Sequence, residues 1–301
     1  MRRPMLWSVL VLSGLSAGAV QAQDMNLTDL LINGQDWELV GEGFTFTEGP
    51  AVDLQGNLYF TDVFRSRIHR LNSEGKVEVF VDPSGGSNGL MFGPDGLLYA
   101  CQNGKQRIVA YDAAGKEKVI AEGVKSNDLV VTRAGAIYFT DPENHQLWYI
   151  SPTGEKKVVD RGLGYPNGLI LTPDQGTLVV ADMKSANLYA FRVEADGSLK
   201  YRQPFFTMRV PTGKLDVGAD GMTFDTAGRI YVATQLGLQV FDPSGRLGGV
   251  IAKPQAAWLS NAVFGGPKLD TLYVTCTNRV YKRKVNTGGL RYFDPPKQAA
   301  K

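Results

Sequence analysis

The sequence predicts an all-β protein, a six-bladed β-propeller with four antiparallel strands in each blade. A short pattern recurs six times: a carboxylate or carboxamide, usually a small residue, and then an apolar run. The steps between the repeats are 40, 39, 40, 53 and 41 residues. Glycine accounts for 35 of the 301 residues, well above an average usage of roughly 7%, and supplies tight turns between short strands. Repeats of this length, each with four strands, are typical of propeller blades.

Each repeat opens with a residue whose side chain carries an oxygen atom. We call these six residues the polar column: Glu48, Asn88, Asn127, Asn167, Asp220 and Asn261. The apolar run after each of them is the predicted first strand of a blade. A turn follows, and then a strand rich in the aromatic and β-branched residues that a half-buried pleated surface prefers. These second strands are predicted at residues 58–62, 98–102, 137–141, 178–182, 230–234 and 272–276. A hairpin with a further glycine turn completes each unit.

The two ends of a propeller have to be joined, because an open sheet edge promotes association with other chains. Residues 37–40, Trp-Glu-Leu-Val, are the predicted closing strand of the sixth blade. The 53-residue step from Asn167 to Asp220 predicts an additional loop at residues 208–217, near the mouth of the central channel. No stretch marks a domain boundary, so we expect residues 23–301 to form one propeller domain.

The N-terminus has the pattern of a secretory signal peptide. Arg2 and Arg3 precede a largely apolar stretch at residues 6–20, and small residues follow at 20–22. We therefore expect residues 1–22 to be removed and the mature protein to be periplasmic or secreted, with no membrane span. A retained membrane anchor is the alternative, although the apolar stretch is short for a span of ~18 residues or more. The intact mass of protein made in an exporting host distinguishes the two.

Charge and cysteine content exclude some classes of partner. The formal net charge is +2, and removal of Arg2 and Arg3 lowers Lys+Arg from 32 to 30, equal to the 30 Asp+Glu. A balanced chain does not indicate a nucleic-acid or anionic-membrane partner. Cys101 and Cys276 lie in the second and sixth repeats. Although an exported protein meets an oxidising compartment, we expect both to be buried free thiols, which behave as small apolar side chains.

The polar column has the chemistry of a site for a hard cation. In a propeller, the first residue of each inner strand stands at the channel mouth. Backbones crowd there, which explains the small residue that usually follows; Asp128 is the exception. Glu48 and Asp220 are carboxylates and the other four are carboxamides, and Ca²⁺ takes six to eight such oxygens. Two carboxylates in a narrow channel repel each other unless a cation intervenes. The sequence predicts one divalent cation, with Ca²⁺ preferred over Mg²⁺, Mn²⁺ or Zn²⁺. A hydrated polar ring without metal is the competing interpretation.

Four stretches around the column are distinctive in combination: Phe46-Thr47-Glu48-Gly49-Pro50, Ser126-Asn127-Asp128-Leu129-Val130, Tyr165-Pro166-Asn167-Gly168-Leu169 and Ala219-Asp220-Gly221-Met222. With them the chain resembles the gluconolactonase, regucalcin (senescence marker protein) and luciferin-regenerating-enzyme family, over about residues 37–293. The resemblance implies a six-bladed propeller that holds a divalent cation, often calcium, in its channel. It also implies an activity of lactone hydrolysis, with phosphotriester hydrolysis in a related branch.

The same resemblance implies roles for individual residues. Glu48, Asn167 and Asp220 would be metal ligands, and Asn127 a metal ligand or a substrate contact. Lys125 stands where some members carry arginine. Lysine can donate to a substrate hydroxyl but lacks the bidentate fork of arginine, so we expect Lys125 and Asn127 to bind substrate while the identity of that substrate stays open.

A second metal is not expected. The phosphotriesterase branch holds a structural calcium with an aspartate and a histidine, and this chain has Thr223 and Asn261 at the corresponding places.

Two other motifs suggest different chemistry. Residues 85–89, Gly-Gly-Ser-Asn-Gly, match the G-x-S-x-G pattern of α/β-hydrolases. That motif requires a strand–turn–helix context and a partner histidine, and the sequence predicts neither. The two histidines, His69 and His145, are expected on the surface rather than in catalysis.

The sequence therefore predicts a lactone hydrolase that uses one bound divalent cation. The metal would act as a Lewis acid on the carbonyl, and Asp220 would be the catalytic general base. A sugar lactone such as gluconolactone is implied as substrate by the resemblance. Two alternatives stay open: an esterase or phosphotriesterase that uses the same metal site, and a non-catalytic propeller in which the metal stiffens the channel. Neither a nucleic-acid partner nor an oligomeric state is indicated.

Overall fold

The computed structural model describes residues 26–72 and 74–293, and this part of the chain folds into six four-stranded antiparallel sheets. A short helix, α1 (Leu27–Leu30), and strand β1 (Glu38–Glu42) precede the first blade. The predicted six-bladed propeller is confirmed. The predicted signal peptide, residues 1–22, lies outside the described residues and stays a prediction.

The first three blades follow one another along the chain. Their strands are β2 (Thr47–Val52), β3 (Leu58–Asp62), β4 (Arg67–Leu71) and β5 (Val77–Val81); β6 (Ser87–Phe92), β7 (Leu98–Gln102), β8 (Arg107–Tyr111) and β9 (Glu117–Glu122); and β10 (Leu129–Val131), β11 (Ile137–Asp141), β12 (Gln146–Ile150) and β13 (Lys156–Arg161).

The remaining blades contain β14 (Pro166–Leu171), β15 (Thr177–Asp182), β16 (Asn187–Val193) and β17 (Leu199–Thr207); β18 (Met222–Phe224), β19 (Ile230–Thr234), β20 (Gly237–Phe241) and β21 (Leu247–Ile251); and β22 (Leu259–Gly265), β23 (Thr271–Cys276) and β24 (Arg279–Lys284). All six predicted second strands are present. Four have the predicted bounds, and β15 and β23 begin one residue earlier.

The sixth blade is closed by the N-terminal strand, as predicted. Its strand order is β1-β24-β23-β22, so the outermost strand comes from the beginning of the described chain. Glu38 pairs with Lys282, and Glu42 pairs with Arg279. Side-chain ion pairs join the same partners, but at exposed positions such pairs contribute little. The backbone ladder and the apolar contacts of the blade therefore carry the closure of the ring.

The hydrophobic core lies between neighbouring blades. Each blade packs face to face on the next, so the second strands are buried on both sides, and Phe60, Val180 and Val232 are fully buried. Full burial of such a side chain contributes roughly 1.5–3 kcal/mol. The outer strands face solvent, and most of β17 is exposed. The innermost strands are thus held rigidly around the channel.

The long step between the fourth and fifth blades is only partly a loop. Strands β16 and β17 are longer than their counterparts, with 7 and 9 residues. Residues 208–221 then form no strand. The additional residues are therefore divided between an extended outer hairpin and the predicted loop at 208–217. We call the end of the propeller at which the innermost strand of each blade begins the upper end. Gln235 follows β19 at this end of the fifth blade, and its side chain donates to Asp216 Oδ1 at 2.9 Å.

The segment after β24 crosses the lower opening of the channel. Gly289 N donates to Leu269 O at 2.8 Å in the sixth blade, and Arg291 donates to Leu54 O at 3.0 Å in the first. Arg133 Nε, in the third blade, donates to Tyr292 O at 3.2 Å. Above this segment lies a largely apolar cavity of about 250 Å³, which Asp128 and Asn261 line at the upper end. We infer that solutes reach the polar column from the upper mouth.

Cys101 and Cys276 are buried free thiols, as predicted. Among residues 26–72 and 74–293, no helix has the length and apolar character that a membrane span requires.

His69 does not lie on the surface, so that prediction was wrong. It lies on β4 and is 7% exposed, stacked on Phe60 at a centroid distance of 5.3 Å and in edge contact with Phe44 at 5.0 Å. Within the described chain its Nε2 has no hydrogen-bond partner. Burial lowers the pKa of His69 because it disfavours the charged imidazolium. His145 is exposed, as expected.

This burial predicts a pH dependence of stability. The unfolded chain takes up a proton at His69 below about pH 6.5, whereas the folded protein resists it. The stabilisation by neutral His69 is complete above that pH and is lost as the pH falls through the folded pKa. The free energy of unfolding of His69→Phe should therefore fall less between about pH 7.5 and pH 5 than that of the unsubstituted protein. Urea denaturation across this range measures it, with His145→Gln as control. Equal pH slopes for His69→Phe and the unsubstituted protein would contradict the prediction.

Candidate metal centre and active site

The structure brings the six column residues to the upper end of the channel. Each lies at or just before the start of an innermost strand, where the regular ladder is interrupted. The pairing register of β2 shifts between Glu48 and Ala51, and that of β14 shifts between Pro166 and Leu169. A bulge of this kind turns a side chain out of the alternation of the strand. The predicted common position of the column is confirmed.

The small residues after the column are required by close backbone contacts. A Cβ atom on Gly49 would lie 2.2 Å from Asn88 O, and one on Gly168 would lie 2.2 Å from Asp220 O. The inner strands of the first, second, fourth and fifth blades therefore pack directly against the column residue of the next blade. The third blade has Asp128 at this position instead of a small residue. A Cβ atom added to Gly89 would lie 2.3 Å from Asp128 Oδ1. Asp128, the exception to the small-residue pattern, thus places a third carboxylate between the second and third blades.

Glu48, Asp220 and Asp128 form a cluster of carboxylates, of which Glu48 and Asp220 are buried and Asp128 is partly exposed. Burial raises the pKa of Glu48 well above its ordinary value, and the charges of Asp220 and Asp128 raise it further. Burial raises the pKa of Asp220 to about 8, with a further contribution from Asp128. Burial also raises the pKa of Asp128 to about 7. Three carboxyl groups thus share one poorly solvated region.

The carboxamides of the column differ in their surroundings. Asn167 and Asn261 are buried, at 4% and 8% exposed, whereas Asn88 and Asn127 are partly exposed. Asn261 Oδ1 accepts from Ala262 N at 2.8 Å. Its side chain also lies close to both Glu48 and Asp128 and lowers their pKa values. Asn261 thus links two of the carboxylates.

Trp258 makes a side-chain hydrogen bond to Asp220. Its indole Nε1 donates to Asp220 Oδ2 at 2.8 Å, which lowers the pKa of Asp220 against the larger effect of burial. The sequence does not predict a role in the site for Trp258 or Asp128. Asp128 could have been identified from its departure from the small-residue rule. No repeat signal marks Trp258.

Lys125, predicted to bind substrate, lies at the rim of the mouth. Its side chain is 42% exposed, and Nζ lies 2.5 Å from Glu143 Oε2. Glu143 and Asp220 both raise the pKa of Tyr165, although burial raises it most. Tyr165 therefore lies within electrostatic range of the rim and of the carboxylate cluster.

The rim is polar along the third to fifth blades. Asp216, in the loop 208–217, accepts from Gln235 Nε2 at 2.9 Å, and Lys184 Nζ lies 3.9 Å from Asp216 Oδ2. Together with Lys125, Glu143 and Tyr165, these residues provide donors and acceptors on one side.

The rim is aromatic along the sixth and first blades. Phe46 and Phe64 pack with their ring centroids 5.7 Å apart, and Phe64 is 77% exposed. Trp258 belongs to the adjoining part of the sixth blade: Trp258 N donates to Thr277 Oγ1, and Thr47 N, next to Phe46 in the chain, donates to Thr277 O. The mouth is therefore polar on one side and apolar on the other.

The residues present fit a hard divalent cation. The charges that raise the pKa values of Glu48 and Asp220 are those of neighbouring carboxylates. Within residues 26–72 and 74–293, no group of three or more His, Cys, Asp or Glu is arranged to hold a metal by itself. The donor set for a cation therefore combines carboxylates with carboxamide oxygens, the combination that suits calcium.

The α/β-hydrolase motif has no catalytic context here. Ser87 is fully buried at the start of β6, and its hydroxyl donates to Ser84 O at 2.7 Å. A second strand, β7, follows rather than a helix. The motif residues therefore form a turn that leads into strand β6.

Comparison with known proteins gives a consistent set of relatives. The family described as SMP-30/Gluconolactonase/LRE-like region matches residues 46–278. A gluconolactonase of Zymomonas mobilis is 26% identical, over 92% of this chain and 89% of that protein. A crystallised gluconolactonase of Xanthomonas campestris superposes with a TM-score of 0.75 at 28% identity, over 86% of this chain and 92% of that one. A calcium-binding regucalcin of Agrobacterium tumefaciens shares the fold, with a TM-score of 0.73, 18% identity, and coverage of 85% and 96%.

The backbone contacts at the column predict the effect of one methyl group. A Cβ on Gly221 would lie 1.8 Å from Asn261 Cγ, whereas the nearest atom to a Cβ on Gly176 would be 3.5 Å away. Gly221→Ala should therefore destabilise the protein by about 1–3 kcal/mol through overpacking, and Gly176→Ala by much less. Chemical denaturation of both variants measures this. Equal stability of the two would show that the column tolerates expansion.

Proposed function

Because the chain belongs to the SMP-30/gluconolactonase/LRE-like family, we propose that it is a metal-dependent hydrolase that opens the ring ester of a lactone. The observation that supports the proposal most directly is the cluster of Glu48, Asp128 and Asp220 at the mouth of the channel. It stands in a chain whose relatives include gluconolactonases. We propose Ca²⁺ as the cation, a choice that agrees with the oxygen-only donor set.

The proposed metal ligands are Glu48, Asn127, Asn167 and Asp220. When bound, the cation would supply Lewis-acid polarisation of the lactone carbonyl. It would also relieve the repulsion that raises the pKa values of Glu48 and Asp220, since a nearby positive charge favours the ionised form. Asn261 is better suited to orienting Glu48 and Asp128 than to binding metal, because its Oδ1 accepts from Ala262 N.

In the proposed reaction, Asp220 is the general base. Water attacks the carbonyl carbon, and a carboxylate oxygen of Asp220 takes one water proton as the new C–O bond forms. The ring C–O bond then breaks, and the leaving alkoxide needs a proton to become the hydroxyl group of the open acid. Asp220 can pass the proton that it took from water to this alkoxide, which restores the Asp220 carboxylate. The oxyacid product leaves through the upper mouth.

The rim supports a polyhydroxylated lactone as substrate. Lys125, Tyr165 and Gln235 present groups that can hydrogen-bond sugar hydroxyls, while the aromatic side offers a surface for the C–H face of a sugar ring. Lys125 pairs with Glu143 in the structure, so the pair can donate and accept at neighbouring hydroxyls. We propose a sugar lactone such as gluconolactone.

Activity on a substrate panel tests the proposal. Purified protein with Ca²⁺ should hydrolyse gluconolactone faster than δ-valerolactone, which has the same ring without hydroxyl groups. Aryl esters and phosphotriesters in the same panel test an esterase or phosphotriesterase at this site. Failure to turn over any member would support a non-catalytic propeller.

Replacement of Asp220 separates metal binding from proton transfer. Asp220→Asn keeps an oxygen in place but cannot accept the proton, so at saturating Ca²⁺ turnover should fall by on the order of 10²–10⁴. Asn261→Ala, at another column position, should lose much less. Turnover of each variant is measured across a Ca²⁺ titration, so that low occupancy is not mistaken for lost chemistry. Recovery of near-normal turnover by Asp220→Asn would assign Asp220 to metal binding alone.

A further inference from the structure

The indole of Trp258 makes a directed contact with the carboxylate cluster. Its Nε1 lies 2.8 Å from Asp220 Oδ2, and Asp220 is 5% exposed. A hydrogen bond to an ionised acceptor is about twice as strong as one between neutral groups, so this bond is strongest when a bound cation keeps Asp220 ionised. With little water nearby to replace it, this bond fixes the rotation of the Asp220 carboxylate.

Trp258 is itself held from two sides. Its backbone N donates to Thr277 Oγ1 at 3.1 Å, and the same hydroxyl donates to Trp258 O at 3.2 Å. On the other side, a Cβ on Gly218 would lie 2.8 Å from Trp258 Cη2. The backbone that follows the loop 208–217 thus packs directly on the indole. An indole with this support has little freedom to move away from Asp220.

We propose that Trp258 is a positioning residue, which holds the Asp220 carboxylate in the orientation needed for cation binding and proton transfer. This inference rests on the proposed function for its catalytic part only. Because the indole is hydrogen-bonded to Oδ2 of Asp220, the other carboxylate oxygen, Oδ1, is kept at a fixed angle to the channel. Loss of a hydrogen-bond partner behind a metal ligand typically weakens metal binding or activity by about 10–100-fold.

The test compares two tryptophans that make the same type of hydrogen bond. Trp258→Phe removes the N–H donor and keeps an aromatic ring. Trp37→Phe is the matched control, because Trp37 Nε1 donates to Ala252 O, also at 2.8 Å, away from the channel. Trp258→His keeps a ring N–H donor on the same side. Ca²⁺ affinity is measured by calorimetry on the metal-free proteins, and kcat and KM for gluconolactone at saturating Ca²⁺.

Trp258→Phe should bind Ca²⁺ about 10–100-fold more weakly and lose kcat with little change in KM. Trp37→Phe should match the unsubstituted protein, and Trp258→His should recover part of the lost affinity. The melting temperatures of the metal-free variants show whether a loss is only structural: an equal fall in affinity for Trp258→Phe and Trp258→His, following their melting temperatures, would overturn the proposal.

The two proposals can fail separately. If the unsubstituted protein binds Ca²⁺ but hydrolyses no lactone, the affinity measurements still decide the role of Trp258 and the proposed activity is wrong. If it hydrolyses lactones and Trp258→Phe keeps normal Ca²⁺ affinity and kcat, the positioning role is wrong and the activity stands.

Discussion

Repulsion between buried carboxylates is the constraint on which the proposed site depends. The charges of Asp220 and Asp128 raise the pKa of Glu48, and the charge of Asp128 raises the pKa of Asp220, in a region where burial already disfavours charge. Placing like charges together in a poorly solvated channel costs free energy unless a cation neutralises them. The fold therefore has to hold these groups against their mutual repulsion, and a bound divalent cation would convert that repulsion into attraction.

The propeller provides the rigidity that such a cluster needs. The inner strands of the first, fourth and fifth blades lie so close to the next column residue that Gly49, Gly168 and Gly221 have no room for a side chain. The ring is closed by β1, and the second strands are buried on both faces. Displacing one column residue would thus require movement of its neighbours. Within this frame, Trp258 hydrogen-bonds Asp220, and the side chain of Asn261 lies beside Glu48 and Asp128.

Much of the fold could be predicted because the repeat constrains it at every level. Turn glycines, strand composition and the regular step agree with one another, and they located all six second strands and the closing strand. The polar column was likewise visible, because it recurs in register. A contact that occurs in only one blade leaves no repeated pattern in the sequence and cannot be predicted in this way. Asp128 and Trp258 each occur in only one of the six repeats, and their roles depend on packing between blades. His69 was misplaced because an imidazole on an outer strand gives no sign that two phenylalanine rings will cover it.

The central claim is that the carboxylate cluster binds a divalent cation, and a calorimetric titration of metal-free protein with Ca²⁺ tests it most directly. A ligand that binds only the folded state stabilises it by mass action, so melting curves recorded with and without Ca²⁺ accompany the titration. The account predicts binding of about one Ca²⁺ per chain, a rise in melting temperature, and a larger loss of affinity for Glu48→Gln than for Asn88→Ala. Absence of binding, together with a melting curve that neither Ca²⁺ nor excess chelator changes, would contradict it.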